Sequence, residues 1–207
     1  MMDKIKVLIV DDHAILRMGL ASLLNAKNDI EVIGDASSGR TGIQKALKLK
    51  PDVVIMDLMM PGMDGTETTS QLLAKDPASK VLILTTFGTS DGIAHALAAG
   101  AKGAIMKNCD FGELVTAIKK VARGEEYVSP DIRRIISNDP PVASLSPRQA
   151  EVLQSIVRGL SNPDIAKQLG ISVDMVKEHT ESLFQKLGAT NRTEAVAIAL
   201  RKHLLKI

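Results

Sequence analysis

Lys6-Val7-Leu8-Ile9-Val10-Asp11-Asp12 sets an apolar run against two consecutive carboxylates, and Val53-Val54-Ile55-Met56-Asp57 repeats the arrangement with one. Runs that are apolar at every position lack the alternation of a half-solvated strand. Short ones belong in a parallel sheet covered by helices on both faces. Three further candidate strands, Glu31–Asp35, Val81–Thr85 and Gly103–Met106, alternate with amphipathic stretches. Strand and helix in succession predict an α/β doubly wound domain with a five-stranded parallel sheet, over residues 1–123.

Function in such a sheet collects outside the carboxyl ends of the strands, where the strand order reverses. Asp11 and Asp12 follow the first strand, Asp57 ends the third, Thr85 ends the fourth and Lys107 follows the fifth. Any one acid in such a place reads as the cap of the next helix. Three converging carboxylates repel one another unless a hard cation such as Mg²⁺ is held between them. With a hydroxyl and a lysine added, the set is suited to accepting a phosphoryl group on a carboxylate. A metal-dependent phosphatase or phosphotransferase would use similar groups, but no substrate pocket is legible. The only catalysis expected is the handling of the protein's own acyl phosphate. His13 reads as a helix-start residue.

Beyond Gly124 the periodicity fades, and Asn138-Asp139-Pro140-Pro141 cannot continue a helix because proline lacks the amide proton. Residues 124–144 are read as a linker, with room for a helical turn or two over Asp131–Ser137. From Ser146 the pattern is purely helical. Ser146-Pro147-Arg148-Gln149 has the form of a capping box, and Gly159, Gly170 and Gly188 supply stops. Four short helices over 145–207, with the tight turn Leu169-Gly170-Ile171-Ser172 between the second and third, form a small all-α helix-turn-helix domain. In the third, Val176, Leu183, Phe184 and Leu187 make a buried stripe that leaves Lys177, Glu178, Glu181 and Gln185 outward.

Charge says less. The chain carries a formal +2, with nine Lys and Arg against six Asp and Glu over 145–207 and 17 against 18 elsewhere. This asymmetry is weak for a DNA-binding domain. The single cysteine, Cys109, excludes an intramolecular disulfide and fits a reducing compartment. No apolar run approaches the ~20 residues that span a bilayer, so a cytoplasmic protein without a membrane partner is expected.

Residues 5–123 resemble the receiver domains of two-component systems, which are flavodoxin-like. The motifs are Val10-Asp11-Asp12-His13, Met56-Asp57 through Pro61 to Asp64-Gly65, Thr85-Thr86, and Lys107 after Gly103-Ala104-Ile105-Met106. The resemblance implies that Asp57 is the phosphoacceptor and that a sensor histidine kinase is the donor. Asp12 and Asp57 would hold Mg²⁺ with the carbonyl of Met59, Asp11 would assist through water, and Thr85 and Lys107 would contact the phosphoryl oxygens. Ala104 stands where many receivers have an aromatic residue, which puts the usual threonine-and-aromatic relay in question. Phe87 reads as a packing residue or a screen over the pocket, with part of that role as the alternative. Asn108 replaces a common proline.

Leu145 to Leu205 resemble the LuxR-type helix-turn-helix of the NarL and FixJ group. The match runs through Gly159-Leu160-Ser161-Asn162, Leu169-Gly170-Ile171-Ser172, Val176-Lys177, His179, Lys186-Leu187-Gly188 and Asn191-Arg192-Thr193-Glu194-Ala195. It implies promoter DNA as partner, with Lys177, Glu178, His179, Glu181 and Lys186 at or near the DNA. His179 and Lys186 would lie toward the backbone or the helix-packing interface. It also implies a homodimer formed through the apolar fourth helix, Ala195 to Leu200, and enhanced by phosphorylation. Gln149 and Met175 depart from the usual glutamate and threonine. The rival expectation is a phosphorylation-independent DNA-binding regulator whose receiver serves only for dimerisation.

Overall fold

The computed structural model describes residues 4–86, 90–143, 145–202 and 204–205, and the chain divides into two compact units, Met1–Asp139 and Pro140–Ile207. In the first, strands β1 (Ile5–Val10), β2 (Ile30–Ala36), β3 (Val53–Asp57), β4 (Val81–Thr85) and β5 (Gly103–Met106) alternate with helices α1 (Ala14–Asn25), α2 (Gly39–Leu49), α3 (Gly65–Lys75), α4 (Ser90–Ala98) and α5 (Phe111–Ala122). All strand pairs are parallel, in the order β2-β1-β3-β4-β5, with a short sixth strand, β6 (Tyr127–Val128), beyond β5. The chain steps outward from β1 to β2 and then returns to the other side of β1 at β3. That reversal places the ends of β1 and β3 side by side.

Successive residues of each strand feed opposite faces, so the sheet has two aliphatic cores. Leu8, Val10, Val54 and Met56 pack with Ile43 of α2, Leu72 of α3 and Ile93 of α4. Val7, Ile9, Val53 and Ile55 pack with Leu20 and Leu24 of α1 and Leu114 and Ile118 of α5.

The sheet has six strands, not the expected five, and the stretch read as a linker is in part folded. Strand β6 (Tyr127–Val128) pairs with Gly103 and Ala104, and helix α6 (Pro130–Asn138) follows it. Ser129 caps α6 by accepting from Ile132 N, and Ile132 is buried with the α2–α4 core. A two-residue strand is too short to show a period, which is why the sequence reads as irregular there. The helix ends at Asn138, just before the two prolines.

The second unit holds α7 (Pro147–Val157), α8 (Asn162–Leu169), α9 (Val173–Leu187) and α10 (Arg192–Arg201). Each begins at a side-chain cap: Ser146 and Ser161 in capping boxes with Gln149 and Asp164, then Ser172 and Asn191. Gly170 and Gly188 close α8 and α9 in the left-handed conformation, at φ 66° and 68°, which strains any residue with a Cβ. Val152, Leu153, Ile156, Ile165, Val176 and Leu183 form the core.

Candidate functional sites

Asp57 is the last residue of β3, and its side chain is only 3% exposed. Lys107 follows β5, and its ammonium lies 2.6 Å from Asp11 Oδ2 and 2.9 Å from Asp57 Oδ2. One cation therefore bridges two buried carboxylates from adjacent strands. Burial pushes the Asp57 carboxyl above the usual carboxylate range, against the opposing hydrogen bond and charge of Lys107. Burial also pulls Lys107 down, but its hydrogen bonds to Asp11 and Asp57 outweigh this and leave it above an ordinary lysine.

The strand ends hold these groups by backbone contacts. Met59 N donates to Asp57 Oδ1 at 3.3 Å, and Lys107 N donates to the Thr85 carbonyl at 2.7 Å. Gly65 opens α3 directly over β3. A Cβ there would fall 2.2 Å from the Asp57 carbonyl oxygen, so only glycine admits this approach. Asp64, just before it, caps α3 by accepting from Glu67 N.

Among the described residues, Asp12 Oδ1 and Thr85 Oγ1 are buried and take part in no hydrogen bond, although His13 Nδ1 lies 2.8 Å from Asp12 Oδ1. A buried polar group without a hydrogen bond costs roughly 1–3 kcal/mol, so the Thr85 hydroxyl is set to gain from an incoming acceptor. Ligand atoms of Asp11, Asp12, His13 and Asp57 all lie within 4.8 Å of one another.

On α9, Lys177, Glu178, Glu181 and Gln185 are exposed, and Val176, Leu183 and Leu187 are buried. His179 and Lys186 are half-buried. Lys186 turns back to α7, donating to Gln149 Oε1 at 2.9 Å. Arg148 Nη2 donates to the Leu169 carbonyl at 3.0 Å, tying the start of α7 to the turn before α9. On α10, Ala195 and Ala199 are buried, and Leu200 remains 46% exposed.

Sequence models of two families match the chain: the response regulator receiver domain over residues 7–119 and the bacterial regulatory proteins of the luxR family over residues 143–199. The chain belongs to the two-component response regulators with a LuxR-type DNA-binding domain. Transcriptional regulatory protein LiaR of Bacillus subtilis (strain 168) is 38% identical over 209 residues, 97% of this chain and 99% of that protein. Response regulator protein VraR of Staphylococcus aureus (strain NCTC 8325) is 38% identical over 207 residues, covering 98% and 99% of the two chains. Among solved structures, response regulator ChrA of a heme-sensing two-component system is similar across 99% of this chain and 100% of its own, at 36% identity and TM-score 0.59. RcsB from Salmonella enterica serovar Typhimurium, bound to promoter P1flhDC in the presence of the phosphomimetic BeF3⁻, matches across 95% of this chain and 98% of its own at 25% identity and TM-score 0.69.

This response regulator brings Asp11, Asp57 and Lys107 into direct contact and sets Asp12 beside them. Met59 is half-exposed next to Asp57, and Phe87 lies outside the described residues. Ala104 is fully buried in the core that also holds Ile132. Two neighbours of the pocket were not expected. His13, which does begin α1, also turns its ring onto Asp11 and Asp12; the Asp-Asp-His adjacency is visible in the sequence, but the ring's direction is not. Arg17 donates to the Asp11 carbonyl at 2.7 Å and to Asp35 at 2.8 Å, and no sequence signal marks it.

Proposed function

We propose that Asp57 is the phosphoacceptor of this regulator and that its phosphorylation by a sensor histidine kinase controls promoter binding by a homodimer. The observation that carries this is Lys107 held between Asp57 and Asp11 at the strand reversal, with a threonine hydroxyl one strand away that has no hydrogen bond among the described residues. A carboxylate oxygen of Asp57 attacks the phosphorus of the donor phosphohistidine. The P–O bond forms as the P–N bond breaks, and the electron pair returns to the imidazole. Lys107 and Thr85 then take up phosphoryl oxygens. The added charge and acceptors favour inward movement of the threonine hydroxyl.

The acidic cluster fits Mg²⁺, because among the described residues Asp12 Oδ1 is a buried acceptor without a hydrogen bond and all the ligand atoms are oxygens apart from that of His13. Asp12, Asp57 and the carbonyl of Met59 would hold the ion, with Asp11 assisting through water. It would supply charge neutralisation for the incoming phosphoryl group.

Handling of this acyl phosphate is the only chemistry assigned. A cavity of about 330 Å³ opens beside Lys107, but Ile15, Leu16, Leu20, Leu84 and Phe111 make it apolar and unsuited to a phosphoester. The receiver function belongs to the unit ending at Asp139, and DNA binding to the four-helix unit from Leu145. In the latter α9 enters the major groove, with Lys177, Glu178 and Glu181 toward the bases and His179 and Lys186 toward the backbone or the packing interface. Leu200 and its neighbours on α10 meet a second copy. No described helix is long and apolar enough to cross a membrane; work on promoter DNA is the ground for a cytoplasmic location in this reading.

Beryllofluoride with Mg²⁺ tests the proposal on the full chain and on Asp57→Asn, with mass followed by light scattering and DNA affinity in parallel. A shift toward dimer and tighter DNA binding in the wild type alone is expected. Saturation of the site without change in mass or affinity would favour the phosphorylation-independent alternative.

A further inference from the structure

The outward face of α9 carries Asp174, Lys177, Glu178 and Glu181, all exposed, so acids outnumber bases on a surface assigned to a polyanion. Lys177 is held 3.0 Å from Asp174. Among the described residues, no hydrogen bond or ion pair engages the side chain of Glu178 or Glu181. Carboxylates placed near phosphates weaken binding to every DNA sequence alike, unless each finds a donor on a base.

The groove chemistry selects that donor. A carboxylate only accepts hydrogen bonds. In the major groove guanine shows acceptors at O6 and N7, and thymine shows O4, so both repel it. Adenine offers the N6 amino group but sets the N7 acceptor beside it. Cytosine offers the N4 amino group without an adjacent acceptor on the same base. Three helical residues advance about 4.5 Å and turn about 60° short of a full circle, so Glu178 and Glu181 share a face. That advance is close to the ~3.4 Å step between base pairs, which brings neighbouring pairs within reach of the two side chains. Lys177 complements them. Its exposed pair with Asp174 is weak enough to exchange for guanine O6 or N7 across the groove.

We propose that Glu178 and Glu181 are specificity determinants, each accepting a hydrogen bond from N4 of a cytosine, at two neighbouring C·G pairs in the half-site. This rests on the assignment of α9 to the major groove. The two glutamates act as a filter that sacrifices general affinity for sequence discrimination.

The test is selection from a random duplex library by the full chain with Mg²⁺ and beryllofluoride, using the wild type, Glu178→Gln, Glu181→Gln and the double alanine variant. Wild-type sites should show cytosine at two neighbouring positions. Each glutamine variant should lose about tenfold of that preference at one position and shift toward adenine, whose N6 and N7 glutamine matches. The double alanine variant should lose both preferences. Both positions are exposed, so unchanged thermal melting verifies folding. Identical selected sequences with uniformly tighter binding would overturn the inference and show that the glutamates only repel phosphate. If the wild type selects nothing, with or without beryllofluoride, the DNA assignment of α9 fails and the inference fails with it.

Discussion

Lys107 lies 2.9 Å from Asp57, and Lys177 lies 3.0 Å from Asp174, yet the two pairs have little else in common. The first is buried, with side chains 9% and 3% exposed; the second stands in solvent at 59% and 89%. A buried cation between two carboxylates is fixed, because withdrawing it leaves two like charges uncompensated in a poor solvent for them. An exposed pair is worth about 0–1 kcal/mol and exchanges partners readily. The receiver pocket thus holds charge in one geometry, and α9 holds it loosely.

The sharpest way to break this contrast is Asp57→Asn. Acyl-phosphate formation from a small phosphodonor should be lost completely, as read by mass spectrometry. The same variant sharpens the comparison through pH. Burial first of all raises the Asp57 carboxyl in the folded state, so ionising it there is harder than in the unfolded chain. Its charge therefore costs stability above the raised value, and the cost vanishes below the ordinary carboxylate range of about 4. Asp57→Asn should raise the melting temperature of the first unit at neutral pH, with the gain fading as the pH falls through that range. A pH-independent gain would contradict the assignment.

Next in size is Leu183→Ala, which empties a fully buried site in the small second unit. A loss of about 2–5 kcal/mol is expected. Calorimetry should show the transition of this unit fall or disappear while that of the receiver stays in place. Thr85→Val comes third. It removes a buried hydroxyl that has no hydrogen bond among the described residues, so the unliganded receiver should gain about 1 kcal/mol in denaturant titration. The extra stability that beryllofluoride confers should shrink in this variant, because the hydroxyl no longer meets the ligand. Smallest of all, Asp174→Ala should change stability by less than about 0.5 kcal/mol. A larger loss would mean that the exposed pair is not as loose as the comparison holds.

The pocket was legible because its residues sit at strand ends, and the strands announce themselves as unbroken apolar runs. Asp11, Asp57 and Lys107 needed only the parallel topology to meet. Strand β6 was not legible, since Tyr127 and Val128 offer two residues and no period. Arg17 was invisible for another reason: its role is to reach the Asp11 carbonyl, and backbone acceptors leave no trace in composition. The stripe of α9 was readable from its spacing, but the inward turn of Lys186 depended on Gln149 arriving from α7. Side chains on the border between buried and exposed faces are decided by their neighbours on other helices.

Gln149 makes more of this than its position in a capping box suggests. Its Oε1 accepts from Ser146 N at the start of α7, and from Lys186 of α9, while its Nε2 donates to Ser182 of α9 at 3.0 Å. One amide thus anchors the first turn of α7 and two points on the inner side of α9. Tilting α9 against α7 would unpin that anchor. The four-helix unit is better suited to being presented or withheld as a solid key than to having its teeth recut by an upstream signal.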